Sequence, residues 1–356
     1  MFNQNKTLFQ SLKDLPIPLC HTQCILYKHE LLICGGYEQR VCYSYHTIKN
    51  EYKFICEYPI DAALQVHCVV KLVDNNKDND QITLLSFGST NDGENKHTLI
   101  MKYVSVWNEL NDCNQWIPFT DNHNNPIILG GNSDYRGVRA VIGGRNKNLL
   151  FIAYYYYNIS VFNLNTFQFI RYDILPIDKS ISFYCFVLKP EDEKEQEMMK
   201  INRQNCQMLL FKQSKGLSIE YDEDNNTFQY HQLSICDDII PFYAYAYVCI
   251  DDIILFFGGY YWSGNTCIIS KLVHKYSIRE NKWMVFENTL PISLSDSVAI
   301  LNEEDNDIHI IGGQDNKYTA VLTHMKTKLS IWDPLQLVII YLFIYFNEIK
   351  INLTNN

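Results

Sequence analysis

Three apolar runs in this chain end on paired glycines: LLICGG at 31–36, IILFFGG at 253–259 and IHIIGG at 308–313. Such short apolar stretches closed by glycine are too brief for helices and read as strands covered on both faces. Each follows another apolar run, over Gln23–Tyr27, Tyr243–Ile250 and Ser297–Leu301, and His67–Val73 with Ile82–Phe87 makes the same pair. Downstream, aromatic residues seven apart bracket polar turns: Tyr45 and Tyr52, Phe162 and Phe169, Tyr221 and Phe228, Tyr276 and Trp283. The intervening Asn, Asp, Lys and Glu are turn-forming or solvated types, so each pair predicts a tight hairpin whose strands bury one ring apiece. Trp107 and Trp116 make a version two residues longer, and His324–Ile331, followed by Trp332, a weaker last one.

The second anchors of these units, at 52, 116, 169, 228, 283 and 331, recur at intervals of 48–64 residues. A supersecondary unit repeated at that spacing predicts an all-β, six-bladed β-propeller of four-stranded antiparallel blades. The expected blades are 15–60, 61–120, 135–175, 180–233, 240–290 and 294–334, with 335–356 as an apolar segment and tail. Helical solenoids need apolar positions at period 3.6, and only Glu191–Arg203 reads that way; it is expected as a surface helix. Glycines suit the ends of the second strands because neighbouring blades crowd there and positive φ costs glycine little. The polar stretches Asn75–Gln81 and Pro190–Asn205 read as loop insertions within blades. A closed ring leaves no open sheet edge, and either Thr7–Leu12 or Leu337–Tyr345 supplies the closing strand.

A double glycine followed by Tyr and then Trp resembles the Kelch repeat, and Gly258-Gly259 with Tyr276 and Trp283 matches best. The resemblance spans roughly residues 8–334. Gly35-Gly36 and Gly312-Gly313 keep the pair, whereas Gly88-Ser89, Tyr154-Tyr155 and Lys212-Gln213 stand in its place elsewhere. The resemblance implies a propeller that binds a protein or peptide. Many relatives carry a ubiquitin-ligase recruiting module; none is expected here, so an adaptor role implies a separate ligase chain. Galactose oxidase shares the propeller and supplies the enzymatic alternative, a copper oxidoreductase with a central-channel site. No copper ligand maps onto a matching motif in this chain.

Composition narrows the picture further. Hydrophobic residues make up 47% of 356 and aromatics 14%, with 25 Tyr and 19 Phe, which favours strands and a well-buried chain. The net charge of −10 repels phosphate backbones, so nucleic acid is not an expected partner. The N-terminus lacks a signal-peptide core, which predicts a cytoplasmic protein whose twelve cysteines are reduced. Ten apolar residues at 337–346 would span about 15 Å as a helix, against about 30 Å for a bilayer core. A buried strand is the preferred reading there; a membrane anchor and an aberrant C-terminal translation are the alternatives.

Motif chemistry is sparse. Cys20-His21-x-x-Cys24 has no partner pair at metal-ligand spacing, and no phosphate loop or nucleophile elbow occurs. No catalytic residue, metal or cofactor is therefore assigned. Connectors between first and second strands carry Asp74–Asp80, Glu191–Glu197, Asp251-Asp252 and Glu303–Asp307, an acidic face. The opposite face gathers Tyr37, Arg40, Asn91, Lys96, Tyr260, Tyr261, Trp262, Asn316, Lys317 and Tyr318. Tyr, Trp and Arg dominate binding hot spots. The expected function is a non-catalytic interaction module, with Tyr37, Arg40, Tyr260, Tyr261, Trp262, Lys317 and Tyr318 as its partner-binding residues.

Overall fold

In the computed structural model, residues 8–333 are described except 63, 74–79, 91–94, 109–113, 132, 178–182, 191–204, 213–214, 237–238 and 240–241. The apolar segment 337–346, the helix expected within 191–203, Asn91 and most of the loop insertion at 75–81 lie outside the described residues. Among the described residues no helix is long and apolar enough to cross a membrane.

The chain forms a β-propeller of six four-stranded antiparallel blades. Blade 1 comprises Gln23–Tyr27, Glu30–Gly36, Gln39–His46 and Glu51–Glu57. Blade 2 begins with Val66–Leu72, blade 3 with Arg139–Gly143, blade 4 with Cys185–Leu188, blade 5 with Ala246–Ile250 and blade 6 with Val298–Asn302. These first strands line the axis and meet their counterparts in neighbouring blades. Second strands are buried along their length, as in Glu30–Gly36, Leu149–Tyr154, Ile253–Phe257 and Asp307–Ile311, because a blade packs against each of their faces. That is the physical origin of the unbroken apolar runs. The outer strand Gln168–Ile174 alternates exposed and half-buried positions, since one face meets solvent. Six apolar clusters each straddle one junction between adjacent blades, so the core is a ring of interfaces.

The aromatic hairpins have the expected geometry in four blades. Ring centroids lie 4.9 Å apart for Tyr45–Tyr52, 5.0 Å for Phe162–Phe169, 4.9 Å for Tyr221–Phe228 and 5.1 Å for Tyr276–Trp283. The Tyr45, Tyr221 and Tyr276 hydroxyls donate to Asn50, Asn226 and Asn281, five residues on and at positive φ. Asn tolerates that conformation and supplies the acceptor, so one residue both makes the turn and satisfies the buried phenol.

Two units depart from the expectation. In blade 2 the ring at the end of the third strand is Tyr103, not Trp107. Trp107 instead turns back on blade 1, where its indole donates to Ser44 and Lys49 and Lys53 lie over its face. Trp116 is buried as expected but stacks on Tyr58 of blade 1, centroids 4.6 Å apart. In blade 6, Ile331 does not begin a fourth strand. The third strand His324–Lys328 runs into a helical turn, Leu329–Trp332, and the fourth strand is Gln10–Ser11 from the N-terminus. Gln10 pairs with Lys326 and Ser11 with Met325. The ring is thus closed by the N-terminal segment, within the Thr7–Leu12 candidate. Trp332 locks this closure from inside, fully buried against Phe9, Phe257 and Phe286.

The glycine pairs sit where blades join. The first glycine faces the next blade: a Cβ on Gly258 would lie 2.2 Å from the Leu294 carbonyl, and one on Gly312 2.4 Å from that of Leu19. The second faces the lead-in to its own blade, Gly259 at Tyr243 and Gly313 at Ser295. Gly35 and Gly36 repeat the arrangement against Leu64 and Cys20. Amides of the pairs bond across the junction, Gly259 N–H to the Leu294 carbonyl and Gly313 N–H to that of Leu19, each 2.8 Å.

Replacing Gly258 by Ala is expected to cost at least about 2 kcal/mol, from the backbone clash plus the φ of +66°. Gly264 has a similar φ of +60° but open space around it, so Gly264→Ala should cost only about 1–2 kcal/mol. Urea midpoints of the two variants measure the difference.

The closing junction also holds a buried chain: Tyr52 Oη lies 2.5 Å from His324 Nδ1, and His324 Nε2 lies 2.9 Å from His309 Nδ1. Burial pushes His309 down to about 4, with Lys326 and Lys328 adding to the effect and Asp307 opposing it. Burial, then His309 and Lys326, also lowers His324. An unfolded imidazole titrates near about 6.5. The folded state therefore binds fewer protons, and stability is expected to fall as pH drops from about 6.5 toward 4, by up to about 3 kcal/mol for His309. Urea denaturation at pH 7.5 and 4.5 measures this, and His309→Gln should flatten the slope.

Candidate functional site

Antiparallel pairing places the start of each first strand beside the end of its second strand: Gln23 faces Cys34, Ala246 faces Phe257 and Val298 faces Ile311. The axial opening at that end therefore shares one face with the loops that follow the glycine pairs. Two features are built there, an aromatic arc across blades 5, 6 and 1 and a cavity on the axis.

The residues after Gly259 form a hairpin of their own, Tyr260–Ser263 paired with Thr266–Ile269, rather than an irregular loop. Its three rings divide the work. Tyr260 stacks on Tyr243 at 5.5 Å, and their backbones exchange two hydrogen bonds of 2.8 and 2.9 Å. Tyr261 meets Phe242 edge-on at 5.1 Å. Both anchor the hairpin to blade 5. Trp262 packs on neither and is 60% exposed. It stands opposite Cys267, whose carbonyl accepts the Tyr318 hydroxyl at 3.2 Å. Tyr318 is 52% exposed and follows the blade 6 glycines. Its loop is pinned by Asp315, whose carboxylate accepts the amides of Lys317 (2.9 Å) and Thr319 (3.1 Å). Trp262 and Tyr318 thus flank one carbonyl on a scaffold cross-linked between two blades, with Lys317 exposed beside them.

Tyr37 lies on blade 1, half-buried, its amide bound to the Cys20 carbonyl and its ring 5.9 Å from His21. Arg40 is occupied within blade 1, where it donates to the Tyr58 carbonyl and pairs with Glu57 at 3.1 Å. It serves blade 1 itself, and nothing in its contacts brings it to Trp262. Lys96 is half-buried, its stem near Gly130 of the following loop. On the opposite face, Asp80 pairs with Lys28, Glu304 with His29 and Asp307 with Lys326 and Lys328, while Asp252 accepts the Arg279 amide. These members of the acidic face are engaged in folding contacts.

The axial cavity encloses about 210 Å³. Four residues two positions before the first strands line it, His21, Phe183, Ala244 and Asp296, and all four have positive φ. Their amides pass from blade to blade. His21 N–H donates to the Asp296 carbonyl (2.9 Å), Asp296 N–H to Ala244 (2.8 Å) and Ala244 N–H to Phe183 (3.3 Å). His21 and Phe183, from opposite blades, meet across the mouth at 4.9 Å. Burial lowers the His21 imidazole despite Asp296, whose carboxylate is 3.3 Å away. Deeper in, burial pushes the Tyr247 phenol and the Cys24 thiol up. Among the described residues no three His, Cys, Asp or Glu side chains gather as a metal would require.

Arg139 opens the first strand of blade 3 and lines this cavity. The equivalent positions are Gln23, Val66, Cys185, Ala246 and Val298, so it is the one charged residue in that register. Comparing these six positions would have found it, but only once the first strands were placed. The positive-φ rim has no such signal, since of His, Phe, Ala and Asp only Asp is a turn-forming type.

No family model matches the sequence, and no curated protein matches it. Among solved structures, the protein YjhT superposes with a TM-score of 0.58 at 12% identity, over 88% of this chain and 95% of that one. A protein of unknown function from Bacteroides thetaiotaomicron is similar at a TM-score of 0.49 and 9% identity, over 90% of this chain and 75% of that one. The YjhT likeness is one of fold.

Proposed function

We infer that the chain is a Kelch-type interaction propeller, a non-catalytic module that binds a protein or peptide on the face carrying the glycine-pair loops. The observation that carries this reading is the pair Trp262 and Tyr318, 60% and 52% exposed on supports that hold them still. Exposed large rings are costly to leave in water, and preformed loops lose little entropy on binding. Tyr260 and Tyr261 act as supports for the hairpin, and Tyr37 extends the surface toward blade 1. This reading centres binding over blades 5 and 6.

Trp262→Ala and Tyr318→Ala are each expected to weaken capture of the same partner by about thirtyfold, the loss of about 2 kcal/mol typical of a hot spot. Tyr172→Ala, which removes a ring of similar exposure (58%) from the outer strand of blade 3, should leave capture intact. Affinity capture with the folded variants measures this. Retention of every partner by both face variants would refute the assignment.

A further inference from the structure

The axial cavity contains two opposite charges that do not neutralise each other. The Arg139 guanidinium makes one hydrogen bond, to the Val138 carbonyl at 2.9 Å, and no carboxylate among the described residues lies within ion-pairing distance of it. It comes from blade 3. Asp296 comes from blade 6, diametrically opposite, and is only 8% exposed. Its Oδ2 accepts the Ser295 hydroxyl at 2.9 Å, whereas its Oδ1 takes part in no hydrogen bond. His21 Nδ1 is 3.3 Å from that Oδ1, and burial lowers the imidazole's affinity for a proton despite the carboxylate beside it. Buried polar atoms are seldom left unpaired, and a desolvated charge is costly unless matched.

From this we propose that the cavity is a binding site for a small zwitterion, an amino acid in the broad sense. The ligand's carboxylate lies on Arg139, and its ammonium group on the Asp296 carboxylate. A guanidinium receives a carboxylate through two parallel hydrogen bonds, which sets that end of the ligand. At about 30 Å³ per water, 210 Å³ holds about seven waters, or a molecule of about as many heavy atoms. The rings of His21 and Phe183 narrow the opening. A space of that size fits a free small molecule. The site is separate from the aromatic arc and does not rest on partner binding there.

The test titrates the intact protein with glycine, β-alanine, γ-aminobutyrate and 5-aminovalerate by isothermal titration and thermal shift. Butyrate and γ-aminobutyramide, each lacking one charge, are the ligand-side controls. At least one zwitterion is expected to bind with a Kd below about 10 mM and at least about tenfold more tightly than both controls. Arg139→Gln should weaken it about tenfold to a hundredfold, the worth of a charge-assisted pair. Asp296→Asn should abolish the preference for the zwitterion over butyrate, and Trp262→Ala should change nothing. Absence of binding by all four zwitterions, binding no tighter than the controls, or unchanged binding in a folded Arg139→Gln protein would each overturn the proposal. The ligand-side comparison decides the matter even if the cavity variants do not fold.

Discussion

Backbone amides that cross from one blade to the next are the constraint on which this molecule depends. Each blade is a four-stranded sheet too thin to bury both its faces alone, and its apolar second strand is covered only when neighbours press on either side. Contact that close requires the main chains to meet. They do so through the glycine pairs, whose first members approach the carbonyls of Leu294 and Leu19, and through the rim residues that hand hydrogen bonds from Phe183 to Ala244, Asp296 and His21. Position and conformation are coupled there. The same left-handed φ that lets an amide point sideways to the next blade also turns the chain into its first strand.

Closure makes this pattern a ring. Gln10–Ser11 completes the sixth blade, and Trp332 fills the space beneath the junction, so the two ends of the described chain share one sheet and one apolar cluster. The junction between blades 6 and 1 has a second, polar fastening in Tyr52, His324 and His309. Neutral imidazoles bond to one another there, whereas protonated ones would be buried cations beside Lys326, so the seam is the part of the ring expected to be sensitive to acid.

Much of this architecture is legible in the residues. Paired glycines mark backbone crowding, and aromatic pairs seven apart mark hairpins, because both reflect local geometry that admits few side chains. Trp107 misleads because its spacing to Trp116 imitates a hairpin, while its indole is taken by Ser44 of another blade, a contact between residues far apart in sequence. Tyr260, Tyr261 and Trp262 are adjacent and alike in composition, yet Tyr243 and Phe242 pack on the first two rings and leave the third in water. The rim and the unpaired Arg139 are illegible for a different reason. Their meaning arises from six segments converging on an axis, and no window of sequence contains more than one of them.

A rigid ring also explains how one face can hold two unlike features, an exposed aromatic arc and a charged axial cavity, without either distorting the other. Both are borne on ends of strands fixed by the junction bonds, and the account stands or falls on those bonds acting together. Native-state hydrogen exchange at the amides of His21, Ala244, Asp296, Gly259 and Gly313 tests this most directly. If the blades form one cooperative ring, all five exchange only through global unfolding, with the same free energy as urea denaturation. Exchange of any one of them at distinctly lower free energy, while the amides within its blade stay protected, would contradict it.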